Sequence, residues 1–253
     1  TVDWEKVFNY RSLDKLLPIP MYYQIKQMIL EAIKNGTLTV GDMIPAEMEF
    51  CEFCSVSRPT VRQALSELVS EGYLTRLKGK GTYVSRPKIQ AMFFNRLLSF
   101  NEEMKERGLT PSTRVLALKV VPGCPEACKV LGLPDDGKMI LLERIRYANG
   151  DPLVYLCTYL PYPAYEKLLD CDFVENSLYK LLETLYGDRV ERVHRTIEAV
   201  NSEKKDAELL EIPKGSAECL VKTVGYSGQD KPVEYSIARY RGDRNQFSVD
   251  RYR

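Results

Sequence analysis

Apolar side chains recur at helical intervals in the first third of the chain. From residue 21 they stand three or four positions apart, and the run ends at Gly36, a residue type that commonly ends helices. A shorter apolar run after Pro45 predicts a second helix. A third begins after Ser57, a favoured N-cap residue, and ends at Gly72. The apolar residues of the three helices are Tyr22, Ile25, Ile29 and Ile33, then Phe50, Phe53 and Cys54, then Val61, Leu65, Leu68 and Val69.

Two short β-prone runs follow the third helix, on either side of Lys78-Gly79-Lys80-Gly81. Strand-forming runs separated by a glycine-containing turn predict a hairpin. Three helices followed by a hairpin are the element order of a winged helix-turn-helix. We therefore predict such a domain over residues 20–86, preceded by an N-terminal extension (1–19) and followed by a linker (87–96).

The rest of the chain, residues 97–253, mixes strand-like and helix-like segments. Two β-prone runs meet at Asn149-Gly150, a dipeptide that strongly favours a two-residue hairpin turn. Another pair of runs meets between Gly228 and Lys231, and helical patterns occupy residues 96–109, the stretch before Gly187 and the stretch that Ser202 is expected to cap. Strand pairs joined by tight turns predict an antiparallel sheet flanked by helices, so the predicted fold class is α+β.

Charge is balanced over the whole chain but not along it. There are 36 basic and 35 acidic residues, so the net charge of +1 gives no general attraction for polyanions. Between Arg58 and Lys88, however, seven basic residues stand against two acidic ones. Binding of nucleic acid is therefore expected only in this helix-and-hairpin region.

The composition disfavours several classes of protein. The sequence contains no run of about 18 apolar residues and no secretion signal, so we expect no membrane span and a cytoplasmic location. Seven cysteines without framework spacing favour reduced thiols over disulfides. The pairs Cys51-x2-Cys54 and Cys124-x3-Cys128 would need further ligands to hold zinc, and the chain has one histidine, His194. We expect no metal and no cofactor.

The predicted third helix and hairpin carry residues suited to DNA. Arg58 and Arg62 stand four apart on one helical face, where they can reach guanine edges or phosphates in the major groove. The glycines of the hairpin tip let it approach a duplex closely, while its two lysines neutralise phosphates. The alternative is a set of merely solvated charges, but the order of elements favours DNA binding.

The stretch "IPAEMEFCEFCSVSRPTVRQALSELVSEGYLTRLKGKGTYV" resembles the GntR family of bacterial transcription regulators. The family pattern is P-[SA]-E, then S-R-x-T-V-R-x-A-L-x-x-L, then G-x-G-T-[YF]-V, and the resemblance covers residues 20–86. It implies DNA contacts from Glu47, Ser57, Arg58, Thr60 and Arg62 and from the wing residues Lys78, Gly79, Lys80 and Gly81. Many members have arginine where this chain has Met48, so their operator sequences do not carry over.

Polar residues of the second half form pairs that suit an anionic ligand. Arg144 and Arg146 are two apart on a predicted strand, so both side chains leave the same face. They belong either to a solvated outer face or to an anion site. Ser177 and Tyr179 lie in the first turn of a predicted helix, where backbone N–H groups and the helix dipole favour an anion. Together these groups can clamp a phosphate or a carboxylate.

This second half also resembles a known domain, the UTRA ligand-binding domain of the HutC subfamily of GntR regulators. The matching stretches are "RLLSFNEEMKERGLTPSTRV", "LERIRYANGDPLVYLCTYLP", "SLYKLLE" and "KPVEYSIARYRGDRNQF". The resemblance implies a chorismate-lyase-like fold that serves as a sensor. By this resemblance the residues that bind a sugar phosphate are Ser99, Phe100, Arg144, Arg146, Ser177 and Tyr179, and those that bind an amino sugar are Glu234 and Tyr240. Leu156 stands where amino-sugar members commonly have glutamate.

These observations predict a bacterial DNA-binding regulator, most simply a repressor, that acts as a homodimer on a pseudo-palindromic operator. The expected effector is a small anionic metabolite, with a sugar phosphate or amino-sugar phosphate first and a small carboxylic acid as the alternative. An enzyme of lyase-like fold is a second hypothesis, but the sequence offers no catalytic triad, metal cluster or nucleotide loop. A DNA binder without effector is a third, and it leaves the second domain unexplained.

Overall fold

A computed structural model describes residues 4–8, 13–91 and 99–249 of the chain. The chain divides into two compact units, residues 1–88 and 89–253. The division falls inside the predicted linker (87–96), half of which (residues 92–96) lies outside the described residues. Among the helices that are described, none is long and apolar enough to cross a membrane.

The first unit is a winged helix-turn-helix, as predicted. Its helices α2, α3 and α4 enclose a core in which Ile25, Phe50 and Leu68 are fully buried. The hairpin β1–β2 is antiparallel and pairs Leu77 with Gly81 at its tip. The elements are α1 (Trp4–Val7), α2 (Met21–Lys34), α3 (Glu47–Cys54), α4 (Arg58–Ser70), β1 (Leu74–Leu77) and β2 (Gly81–Val84).

Two details of this unit differ from expectation. Ser57 occupies the N-cap position of α4, but its side chain caps no backbone N–H. Its hydroxyl instead lies 2.8 Å from that of Thr60. In the segment assigned to an N-terminal extension, Phe8 is 3% exposed and its ring packs at a tilt of 48° against that of Phe50, so this segment contributes to the core.

The second unit contains a six-stranded antiparallel sheet in the order β4-β5-β6-β9-β8-β7, which confirms the α+β prediction. A separate pair, β3 and β10, is parallel. The strands are β3 (Ile89–Ala91), β4 (Pro111–Pro122), β5 (Lys138–Ala148), β6 (Asp151–Pro161), β7 (Arg192–Asn201), β8 (Ala217–Ser227), β9 (Lys231–Arg241) and β10 (Asn245–Phe247). The helices are α5 (Phe100–Glu106), α6 (Pro125–Leu131), α7 (Leu178–Tyr186) and α8 (Lys204–Leu210), with short 3-10 turns at Glu166–Asp170 and Gly228–Asp230.

The predicted turns join the predicted strands. Asn149 and Gly150 have φ values of 51° and 82°, the positive pair that a type I′ hairpin turn requires. Gly187, at φ 71°, ends α7 in the left-handed conformation. The predicted cap Ser202 is wrong by one residue: Glu203 takes the N-cap position of α8, while the buried Ser202 hydroxyl donates to the carbonyl of Pro213.

Helices cover both faces of the sheet. On one face, Leu178 and Leu182 of α7 pack against Ile140 and Leu142 of β5. On the other, α6 and α8 pack on side chains of opposite parity, such as Met139 and Ile145. Because strand residues alternate between faces, Arg144 and Arg146 must lie on the α7 side, within the domain interior.

Candidate functional site

The first candidate site is the exposed surface of α4 and the hairpin. The side chains of Arg58 and Arg62 are exposed on the helix, and Ser57 is exposed at its start, whereas Thr60 is half-buried. All four residues of the hairpin tip are exposed as well. This arrangement leaves the predicted DNA-contacting residues free of the core; their individual contacts stay predictions.

Glu47 connects the two parts of this surface. Its carboxylate accepts hydrogen bonds from Arg58 Nε of α4 and from Arg76 Nη2 of β1, each at 3.3 Å. The sequence-based interpretation placed Glu47 among the DNA contacts. Its observed position between two arginines, one from the helix and one from the wing, holds these basic groups at a fixed distance from each other.

The hairpin tip requires glycine at its last position. Gly81 has a φ of 120°, a conformation that side chains of L-residues rarely adopt, and an added Cβ would lie 3.1 Å from Met43 Sδ. Gly79, at φ 74°, would meet nothing within 4 Å. The tip is therefore a tight turn in which both lysines point away from the body of the domain as exposed residues.

The second candidate site is a cavity in the second unit, bounded by the sheet, α5 and α7. Its volume is about 160 Å³, counted as the space that the centres of water molecules can occupy. Every residue predicted to hold the effector lines it: Ser99, Phe100, Arg144, Arg146, Ser177, Tyr179, Glu234 and Tyr240. The structure therefore brings together residues up to 141 positions apart in the chain.

Arg144 and Arg146 form the basic wall of the cavity, which excludes the solvated-face alternative. Arg144 is 2% exposed, and its Nε and Nη1 have no hydrogen-bond partner among the described residues. Burial, and next the charge of Arg146, lowers the pKa of Arg144 well below its usual range. Burial also lowers the pKa of Arg146 to about 10. Arg146 Nη1 donates to Thr113 Oγ1 at 3.1 Å, and its guanidinium lies 5.2 Å from the ring centre of Phe100.

Glu234 stands at the other end of the cavity. It is 3% exposed and accepts hydrogen bonds from the Tyr179 hydroxyl and, at 2.7 Å, from Ser236 Oγ. Burial and then the charge of Glu234 raise the pKa of Tyr179 well above its usual range, so this hydroxyl stays a donor. Burial also raises the pKa of Tyr240. The cavity thus contains both guanidinium groups and a buried carboxylate.

The two serines of the site stand at helix starts but differ in use. Ser99 caps α5: its Oγ accepts from the Glu102 N–H at 3.3 Å and donates to the Glu102 carboxylate at 2.7 Å. Ser177 takes the N-cap position of α7 without a side-chain capping bond. Its hydroxyl lines the cavity at the positive end of that helix.

Several lining residues were missed by the sequence reasoning. Arg195 of β7 adds a third guanidinium, and Asn101 and Glu103 face the cavity from α5. Thr158 and Ser236 form part of its floor. No motif marks these residues. They can be assigned to the cavity only when the strand register is known. For example, the register pairs Thr158 of β6 with Ser236 of β9.

Leu156 also lines the cavity. It pairs directly with Arg144 across β5 and β6, and with Ala238 across β6 and β9. The position where the family resemblance expects a glutamate is therefore an apolar part of the wall here, next to the basic end.

A winged helix-turn-helix with exposed arginines, followed by a domain with a polar cavity, defines a DNA-binding regulator with a ligand-binding domain. Residues 21–84 match the family described as bacterial regulatory proteins, gntR family, and residues 106–246 match the UTRA domain. The chain therefore belongs to the gntR family of bacterial transcription regulators and, with its UTRA domain, to the HutC type. The predicted resemblance is confirmed.

Relatives and solved structures agree with this family. The chain is 35% identical to the HTH-type transcriptional repressor NagR of Bacillus subtilis, over 93% of this chain and 96% of NagR. It is 29% identical to a probable fructoselysine utilization operon transcriptional repressor of Escherichia coli, over 92% and 95% of the two chains. The crystal structure of PhnF from Mycobacterium smegmatis superposes with a TM-score of 0.72 at 29% identity, covering 91% of this chain and 98% of PhnF. The relatives from Bacillus subtilis and Escherichia coli are both named as transcriptional repressors.

Proposed function

We propose that this protein is a transcriptional repressor whose operator affinity is controlled by a small anionic metabolite bound in the cavity of the second unit. A phosphorylated sugar or amino sugar is the first candidate for that metabolite. The residues that bind it are the eight predicted ones: Ser99, Phe100, Arg144, Arg146, Ser177, Tyr179, Glu234 and Tyr240.

Arg144 carries this proposal. A buried guanidinium costs several kcal/mol to desolvate unless a counter-charge or hydrogen bonds compensate. Arg144 Nε and Nη1 have no hydrogen-bond partner among the described residues, and the charge of Arg146 adds to the cost, while the charge of Glu234 offsets only part of it. An anionic group in the cavity would supply both the charge and the acceptors. The basic wall is therefore built for a ligand rather than for stability.

The opposite end of the cavity supports a polyhydroxylated or amino-bearing ligand. Glu234 and the two hydroxyl groups bonded to it offer hydrogen bonds to such groups. The relative named for the fructoselysine utilization operon supports a sugar derivative. Leu156 supports the alternative, a small carboxylic acid, because it leaves one wall apolar next to Arg144.

On the DNA side, we propose contacts from the nine predicted residues: Glu47, Ser57, Arg58, Thr60, Arg62, Lys78, Gly79, Lys80 and Gly81. We assign DNA binding to the domain over residues 20–86 and effector binding to the domain over residues 97–253. A homodimer formed through the second domain would present two α4 helices to half-sites about one helical turn apart. Such a dimer explains how one effector domain controls a pseudo-palindromic operator.

The first test is thermal denaturation of the full chain with sugar phosphates, amino-sugar phosphates and small carboxylates. A ligand at one hundred times its Kd should add about 2.7 kcal/mol to the free energy of unfolding. Arg144→Met should abolish this gain while leaving the unliganded protein as stable as wild type or more stable, since it removes a buried charge whose desolvation cost Glu234 offsets only in part. Arg114→Met, an exposed arginine on β4, is the matched control and should respond as wild type does.

The pH dependence separates the two ligand classes. A phosphate monoester gains its second charge near a pKa of about 6, so its affinity should rise from about pH 5 to about pH 7.5. A carboxylate is already charged over that range and should bind evenly. If no anion stabilises the wild type, or if Arg144→Met still responds, the proposed effector site is wrong.

A further inference from the structure

The floor of the cavity contains two buried hydroxyl groups that connect its two ends. Thr158 is fully buried and Ser236 is 6% exposed. Their Oγ atoms lie 3.0 Å apart. Arg144 Nη2 lies 3.5 Å from the Thr158 hydroxyl, and the Ser236 hydroxyl lies 2.7 Å from Glu234 Oε2. A continuous row of polar contacts therefore runs from the guanidinium to the carboxylate.

The direction of each hydrogen bond in this row follows from its ends. A carboxylate only accepts, so Ser236 donates its one proton to Glu234. The Ser236 hydroxyl must then accept a hydrogen bond from the Thr158 hydroxyl. This bond uses the single hydroxyl proton of Thr158. The oxygen of Thr158 is left as an acceptor, and it faces Arg144, which only donates. The chemistry of the two ends thus fixes both hydroxyl protons.

Gly225 of β8 gives the Glu234 side chain the space it occupies. The two residues pair directly across β8 and β9. A Cβ on Gly225 would lie 2.8 Å from Glu234 Cγ, closer than such atoms approach, and 3.2 Å from its Oε1, a tight contact. Gly225 has no positive φ, so alanine would fit the backbone there. A side chain at this position would therefore act on Glu234 and not on the conformation of the strand.

We propose that Thr158, Ser236 and Gly225 are positioning residues that hold the Glu234 carboxylate as an oriented acceptor at a fixed distance from Arg144. Glu234 receives one donor on each oxygen, from Tyr179 and Ser236, and keeps the other lone pairs for the ligand. The effector must then carry an anionic group at one end and a hydroxyl or ammonium donor at the other. This inference rests on the proposed function and narrows its ligand class.

The test is calorimetric titration of the full chain with a hexosamine 6-phosphate and with inorganic phosphate. Thr158→Val removes the hydroxyl at nearly constant shape, whereas Thr158→Ser keeps it. Thr158→Val, Ser236→Ala and Gly225→Ala should each weaken the hexosamine phosphate about tenfold, the effect of one hydrogen bond, and Thr158→Ser should stay within about twofold of wild type. Inorganic phosphate needs only the arginine end, so Ser236→Ala and Gly225→Ala should bind it as wild type does.

The outcomes separate this inference from the proposed function. If the wild type binds neither probe, the positioning role and the phosphorylated effector are both overturned, while the carboxylic-acid alternative of the proposed function is decided by the thermal denaturation test. If the wild type binds both probes, two results would overturn only the positioning role. One is that Thr158→Val and Thr158→Ser bind the hexosamine phosphate with equal affinity, and the other is that Gly225→Ala binds it as tightly as wild type. The same holds if the hexosamine phosphate binds no more tightly than inorganic phosphate. Circular dichroism of each variant checks that a lost affinity does not come from a lost fold.

Discussion

Glu218 on β8 is a buried acid on the sheet face opposite the cavity. Its side chain is fully buried, with Arg239 Nη1 3.6 Å away, and neither carboxylate oxygen has a hydrogen-bond partner among the described residues. Arg239 Nε also lies 3.4 Å from the Asp206 carboxylate. The guanidinium of Arg239 thus forms ion pairs with two buried acids, Asp206 and Glu218. Burial, followed by the charge of Asp206 and, more weakly, that of Glu203, raises the pKa of Glu218 despite the opposing effect of Arg239.

This residue predicts a pH-dependent stability. Because its pKa is higher in the folded state, the folded protein binds the proton more tightly than the unfolded chain. Stability is therefore lost as the pH rises from the unfolded pKa through the folded one. Glu218→Gln cannot ionise, so its Tm minus that of wild type should increase from about pH 5 to about pH 8. The exposed Glu208→Gln should show a constant difference. A constant difference for Glu218→Gln as well would contradict the assignment.

At the scale of elements, one lysine joins two helices of the DNA-binding unit. Lys26 of α2 is 9% exposed and donates hydrogen bonds to Glu67 of α4 at 3.2 Å and to Glu71, the C-cap residue of α4, at 2.5 Å. The hydrogen bond that Lys26 donates to the Glu71 carboxylate raises the pKa of Lys26 despite the opposing effect of burial. Since α4 carries the predicted DNA contacts, this ion pair helps to fix the orientation of the recognition surface on the core.

Lys26→Met should lower the free energy of unfolding of the first unit by about 1–2 kcal/mol. The value lies between those of exposed and buried ion pairs, because the two glutamates are partly exposed. Lys34→Met removes an exposed lysine from the same helix and should change it by less than about 0.5 kcal/mol. Urea denaturation followed by tryptophan fluorescence reports this unit alone, since Trp4 is the one tryptophan of the chain. Equal changes in the free energy of unfolding for the two substitutions would contradict this role of Lys26.

At the scale of the whole molecule, a repressor with an effector must couple two binding events. An effector that lowers operator affinity by some factor must itself be bound more weakly by that same factor when the protein sits on DNA. A ligand without preference for either state would change nothing.

This reciprocity is measurable. The DNA is a duplex selected from a random pool by the protein itself, and the ligand is the anion that gives the largest thermal shift. Its Kd should differ between free and DNA-bound protein by the factor it imposes on DNA affinity, which is typically 5–150. Arg144→Met should bind the duplex like wild type and ignore the ligand. Equal ligand affinities with and without DNA would exclude the effector-controlled repressor.

Much of the fold could be predicted because its signals are local. Gly36 and Gly72 end helices, and Asn149-Gly150 joins two strands, through conformations that a few neighbouring residues determine. The pairing of Arg144 with Arg146 on one face follows from strand periodicity alone. The roles of the lining residues drew also on family resemblance, and they remain predictions.

Most of the helices and strands, their order, the family and the side chains that share a face could be predicted from the sequence, because these features depend on spacing along one segment. The burial of Arg144, the shared cavity of Arg144 and Glu234, and the position of Thr158, Ser236 and Gly225 beside them followed only from the fold. Those relations depend on strand register and on the order β5-β6-β9-β8, which join segments far apart in the chain. No local pattern specifies that order, because it results from how the whole sheet buries its apolar faces against the helices.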